Sequence, residues 1–182
     1  MKPSLQGSID YFCGVYSVIN AIKKSCAKIH KFSYNEECML YQHLIQNLID
    51  NNLISEVLHN GSSFDIMQLY LFEAKKYMLE KYQIKIIYHR PFLYKNEMVK
   101  NIIRYIGYWL KKSNTSVIIR IKNKVIGDHW TVVSKYMPIA KKLKLFDSYS
   151  YEDINVKYCR LKDFSTRTYM LKEGIILLKA YK

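Results

Sequence analysis

Cys13, His129 and Asp147 are the residues whose types can do chemistry together: a thiol that attacks a carbonyl, an imidazole that takes and returns its proton, and a carboxylate that holds the imidazole. Cys13 lies in the stretch Gln6-Gly7-Ser8-Ile9-Asp10-Tyr11-Phe12-Cys13-Gly14-Val15-Tyr16-Ser17-Val18-Ile19-Asn20-Ala21-Ile22. There loop residues give way to Val15, Val18, Ile19 and Ile22 at helical spacing. The thiol therefore falls at a helix N-terminus, where unpaired amides and the positive end of the helix dipole favour a thiolate. Gln6 can swing its carboxamide over the first turn and donate beside the backbone amide of Cys13, which makes an oxyanion hole. Asp10 is read as a cap of this helix rather than a participant in the chemistry.

The other two groups come from the second half of the chain. Gly127-Asp128-His129-Trp130-Thr131-Val132-Val133 sets a histidine at the start of an alternating apolar strand, and Leu143-Lys144-Leu145-Phe146-Asp147-Ser148 sets an aspartate at the end of the next. If the two strands form a hairpin through Met137-Pro138, antiparallel pairing puts the start of the first beside the end of the second. Asp128 competes with Asp147 for the imidazole, but as the sequence neighbour of His129 it points to the opposite strand face. Tyr11, Phe12, Trp130, Tyr149 and Tyr151 flank these positions, and the first four are taken as candidate substrate contacts, with shielding of the site or core filling as the competing reading. His30, His43, His59 and His89 lack partners at metal-ligand spacing. No metal or organic cofactor is expected.

The combination Gln…Cys-Gly-x-Tyr-Ser-x-x-Asn-Ala, with His129-Trp130 and Asp147-Ser148 following, resembles the papain-like cysteine peptidases, including bacterial peptidases of the bacteriocin-processing type. The Gln-to-Cys spacing is a residue wider than in papain. The His and Asp ends also look locally like ubiquitin-like-protein and adenoviral-type proteases, which however place their cysteine last. The resemblance implies a papain-like fold and a Cys-His-Asp triad in which Gln6 completes the oxyanion hole.

Positioning these groups requires a helical first half and a stranded second. Helices are expected over about 13–25, 34–50, 64–81 and 95–111. Ser33 and Glu36 form a capping box, and Ser63 caps the third helix. Buried faces follow from Leu40, Leu44, Ile45 and Leu48, then Met67, Leu71, Ala74 and Met78, then Met98, Ile102, Ile106 and Trp109. Strands are expected over about 83–89, 115–121, 129–135, 143–147, 156–161 and 174–181. Helices first and antiparallel strands afterwards give an α+β fold in which the nucleophile helix packs on an antiparallel sheet.

With 182 residues the chain suits one domain spanning its length. Cys13, Cys26, Cys38 and Cys159 form neither a CxxC pair nor a disulfide framework, which points to a reduced interior. The absence of a secretory signal or long apolar run leads to a cytoplasmic protein, or one exported without a signal peptide, with no N-terminal inhibitory propeptide. A net charge of +14 raises nucleic acid, an anionic membrane or an acidic protein as partners. The lysine pairs at 23–24, 75–76, 111–112 and 141–142 are scattered, however, and read as solvated helix ends and turns, which disfavours nucleic acid. The function expected is hydrolysis of a peptide or isopeptide bond in a protein. A glutamine deamidase or transglutaminase on the same fold, or a non-catalytic basic binding module, are the alternatives.

Overall fold

The structure, a computed structural model, describes residues 1–6, 11–95, 97–123, 127–161 and 168–182. Four helices come first: α1 (Cys13–Cys26), α2 (Tyr34–Asp50), α3 (Ile54–Asn60) and α4 (Phe64–Tyr82). They are followed by β1 (Lys85–His89), α5 (Val99–Trp109), β2 (Thr115–Asn123), β3 (Gly127–Met137), β4 (Lys142–Leu145) and β5 (Asp153–Asn155). A 3-10 turn (Val156–Tyr158), β6 (Cys159–Arg160) and β7 (Thr168–Tyr181) complete the chain.

The strands form one sheet in the order β1-β7-β2-β3-β4-β5, with β6 beside the start of β7. Every pairing is antiparallel except that of β6 with β7. Both faces of the sheet are covered. Ile118, Trp130, Val132, Ile176 and Leu178 pack on α1, α2 and α4, whereas Val117, Ile119, Ile121, Val133 and Leu177 belong to a second cluster built on α5. A strand buried on both sides has no polar face, which is why β2 reads Val-Ile-Ile-Arg-Ile rather than alternating.

Helix α1 lies at the centre, against β2, β3 and β7 on one side and α2 and α4 on the other. It is buried almost all round, so even Ser17, Asn20, Lys23 and Ser25 are out of solvent. The local signals for α2 and α4 are the expected ones. Ser33 and Glu36 make the reciprocal capping box, and Ser63 accepts from the Ile66 amide.

Four expectations change. Helix α3 was not anticipated; it is a two-turn segment whose one buried residue is Val57. Met98 is the exposed N-cap of α5, so the buried stripe starts at Ile102. The strand expected over 156–161 is instead a 3-10 turn, with the Asn155 side chain accepting from the Lys157 amide, followed by the short β6. The last strand starts at Thr168, before Gly174. Between Ile118 and Arg120 the register against β7 shifts, and there a Cβ on Gly174 would meet the Arg120 Cβ at 2.5 Å. The glycine marks a bulge within the strand and not the strand's start.

Candidate active site

Cys13 is the first residue of α1, and no side chain among the described residues caps that end of the helix. The amides of the first turn lie at the same end of the helix as the thiol. Asp10, read as the cap, lies outside the described residues. Gly14 follows the thiol for a steric reason. A Cβ there would stand 2.4 Å from the Ser62 Oγ and 2.6 Å from the Ser62 Cβ, so only glycine lets the loop after α3 close on the helix start. Trp130 ties the same loop to the sheet by donating from Nε1 to the Ser62 carbonyl at 2.8 Å.

His129 stands on β3 opposite Ile121 of β2. The β3–β4 hairpin runs through a register shift between Val133 and Lys135, and the Phe146 amide then donates to the Val132 carbonyl at 2.8 Å. This extra bond carries the chain past the end of β4 and lays Asp147 beside the imidazole. His129 Nε2 and Asp147 Oδ2 are 2.8 Å apart, and both residues are buried. The other carboxylate oxygen, Oδ1, accepts from the amides of Tyr149 at 2.8 Å and Tyr151 at 3.3 Å. The carboxylate is thus fixed at both oxygens, and it fixes the ring in turn.

The Cys13 thiol lies close enough to the imidazole to bear on its charge. Burial by itself would lower the His129 pKa. The hydrogen bond to Asp147, the contact with Cys13 and the negative charge beside the ring outweigh it and raise the value to about 9. For Asp147 burial pulls upward, but the hydrogen bond with His129, its positive charge and the Tyr149 amide hold the carboxyl below its ordinary value. The pair is therefore an imidazolium against a carboxylate at neutral pH.

Gln6 sits by the same corner. Its amide donates to the Ser148 carbonyl at 3.1 Å, and the Ser148 hydroxyl donates to Gln6 Oε1 at 3.3 Å. The oxygen of the carboxamide accepts from Ser148. Asp128 is committed elsewhere, in a two-pronged pair with Arg120 at 2.7 and 2.8 Å.

The candidate substrate aromatics separate. Tyr11 is 57% exposed and Tyr149 40%, with the Tyr149 ring edge-on to His129 at 5.6 Å and stacked on Tyr151. Trp130 is 1% exposed, its ring packed on Phe64, and Phe12 is buried against Tyr41. Both rings are placed in the core, the competing reading for these residues, although Phe12 at 9% exposed is as accessible as Cys13 at 8%. Their apolar rings at helix and strand starts gave no means of telling the two roles apart.

No family model matches the sequence, and no curated protein matches it. Among solved structures, the Pseudomonas avirulence protein AvrPphB is similar to this chain over 99% of its length and 95% of the other's, at 7% sequence identity and a TM-score of 0.37.

All four cysteines are unpaired, and burial pushes the thiols of Cys26 and Cys159 up to about 12. Among the described residues no group of three or more His, Cys, Asp or Glu is arranged to hold a metal, and no helix is long and apolar enough to cross a membrane. Sequence reasoning passed over Ser148 and Ser62. Ser148 meets Gln6 across a separation of 142 residues, and Ser62 comes to Gly14 through packing, so neither pairing carried a local signal.

Proposed function

We propose that the protein is a papain-like cysteine hydrolase that cleaves an amide bond, peptide or isopeptide, in a protein substrate. The observation that carries this reading is the convergence of a thiol at the first position of a helix with an imidazole held by a buried carboxylate. Cys13 attacks the carbonyl carbon as the thiolate, with the protonated His129 as its counter-ion. The imidazolium then gives its proton to the leaving amine, producing an acyl-enzyme. Neutral His129 next takes a proton from water as that water attacks the thioester, which frees the acid and restores the thiolate. Asp147 keeps the ring oriented through both steps. The Cys13 amide and the Gln6 NH2 are assigned to the oxyanion, where loss of one donor typically costs about 100- to 1000-fold in turnover.

The test is the pH dependence of Cys13 alkylation by iodoacetamide, with the modified residue located by mass spectrometry. Alkylation of Cys13 below about pH 6, where an ordinary thiol is protonated, is expected in the wild type and lost in His129→Ala. A Cys13 that reacts no faster than Cys38 at every pH would overturn the reading. A screen of protein substrates for new N-termini against released ammonia then separates hydrolysis of the chain from deamidation of a glutamine side chain.

A further inference from the structure

Lysines that look scattered along the chain meet in three dimensions. A pocket of about 360 Å³ lies between the C-terminal ends of α1 and α5, and its wall carries Lys24, Lys28, Lys111 and Lys112 together with Ser113 and Asn114. No aspartate or glutamate lines it, and none of the four lysines takes part in an ion pair among the described residues. Lys23, the sequence neighbour of Lys24, shows the contrast: it is buried with Glu37 at 2.7 Å on another face of α1.

The simplest account of lysines at helix ends is that they offset the negative ends of the helix dipoles. Here that account is too small. The C-caps Ala27 and Leu110 both line the pocket, and two helix ends bring about −0.5 charge each against four ammonium groups. The last carbonyl of each helix is also taken, since Cys26 accepts from the Ile29 and His30 amides, and Trp109 accepts from the Lys112 amide and the Thr115 hydroxyl. The excess is about three positive charges in a concave site with no resident counter-charge. Lys112 is held in place by the Tyr108 and Trp109 rings, 5.0 and 4.7 Å from its nitrogen. Lys24 is half-buried, and burial depresses its pKa with no carboxylate nearby to restore it. A bound anion would supply what this arrangement lacks.

We propose that this pocket binds a compact, multiply charged phosphate, either a free phosphorylated small molecule or the phosphomonoester headgroup of a lipid. The lysines supply point charges and the Ser113 and Asn114 side chains supply neutral polar contacts, which suits tetrahedral oxyanions better than a planar carboxylate. The site sits at the opposite end of α1 from Cys13 and is independent of the hydrolase reading.

The probe is inorganic tripolyphosphate, measured by calorimetry at low salt against the full chain. Binding at one site is expected, weakened about tenfold or more by the double substitution Lys28→Ser/Lys111→Ser, which removes two charge-assisted contacts. Both lysines are exposed, so the fold tolerates their loss. The control, Lys75→Ser/Lys76→Ser on α4, removes the same formal charge away from the pocket and is expected to leave binding unchanged. Sedimentation with phosphatidic acid vesicles that depends on Lys28 and Lys111 assigns the headgroup source; tripolyphosphate binding without vesicle binding assigns the free one. The proposal is overturned by no saturable binding, by equal weakening in both double variants, or by a duplex oligonucleotide that binds and is not displaced by tripolyphosphate.

Discussion

His129 is buried against Asp147 with Cys13 near, and its charge is therefore part of what holds the fold together. Its pKa in the folded protein is about 9, above the ordinary 6.5, so the protonated form is favoured by folding. The resulting stabilisation is complete below about pH 6.5 and disappears as the pH rises through 9. A shift of that size corresponds to roughly 3 kcal/mol at most. Urea denaturation between pH 6 and 10 is expected to show this decline, and His129→Gln to flatten it; an equal decline in the variant would assign the effect to other groups. Asp147 works in the opposite sense, because its carboxyl is held low, and its contribution is present at neutral pH and lost in acid. Asp147→Asn removes the charge that favours the imidazolium and the acceptor that orients the ring. Turnover in that variant is expected to fall about 10²- to 10⁴-fold, with substrate KM little changed. A fall confined to KM would place Asp147 in substrate binding instead.

At the scale of elements, the start of α1 is where three pieces of chain must fit at once: the helix, the loop after α3, and Trp130 on β3. Gly14→Ala drives a methyl into Ser62, whose Cβ and Oγ both lie within 2.6 Å of the added atom. Overpacking of this kind costs about 1–3 kcal/mol. The companion change Ser62→Gly removes both clashing atoms, so the double variant is expected to recover much of the loss in Tm and in the Cys13 alkylation rate. Additive losses would mean that the two residues do not meet. How far the sequence exposes such facts differs between elements. The ends of α2 and α4 could be placed within a residue, because Ser33, Glu36 and Ser63 act through hydrogen bonds inside a single turn. The pairing of β3 with β4 was legible too, since antiparallel neighbours joined by a short turn leave little freedom in which ends meet. Helix α3 was not, because a segment with only Val57 buried carries no periodic stripe. Nor was the bulge at Gly174, which depends on how closely Arg120 of the neighbouring strand approaches. The role of Phe12 and Trp130 was open for a related reason: burial of an aromatic ring is decided by what packs over it, and sequence position alone does not show that.

Over the whole molecule, the N-terminal segment joins parts that the rest of the chain holds apart. Asn20 of α1 grips the Ser4 backbone on both sides, accepting from its amide at 2.7 Å and donating to its carbonyl at 3.2 Å. The Ser4 hydroxyl donates to Glu37 of α2 and accepts from Lys23 of α1, and these two form an ion pair that is largely out of solvent. Two residues on, Gln6 joins Ser148 at the far end of the sheet. The segment that carries the carboxamide assigned to the oxyanion is thus held by side chains of α1 and α2 at Ser4 and by Ser148 at Gln6, and no element of regular structure runs through it. Asn20→Ala removes both backbone contacts to Ser4 while leaving Cys13 and His129 untouched. Loss of two partly buried hydrogen bonds is expected to lower stability by about 1–3 kcal/mol. The Ser4 amide should then exchange with solvent at least about tenfold faster, because its acceptor is gone. Cys13 alkylation, which needs the imidazole and not Gln6, should keep its wild-type rate and pH dependence. If the alkylation rate falls together with Ser4 protection, the N-terminal segment supports the nucleophile itself; if Ser4 stays protected, Asn20 is not what anchors the segment.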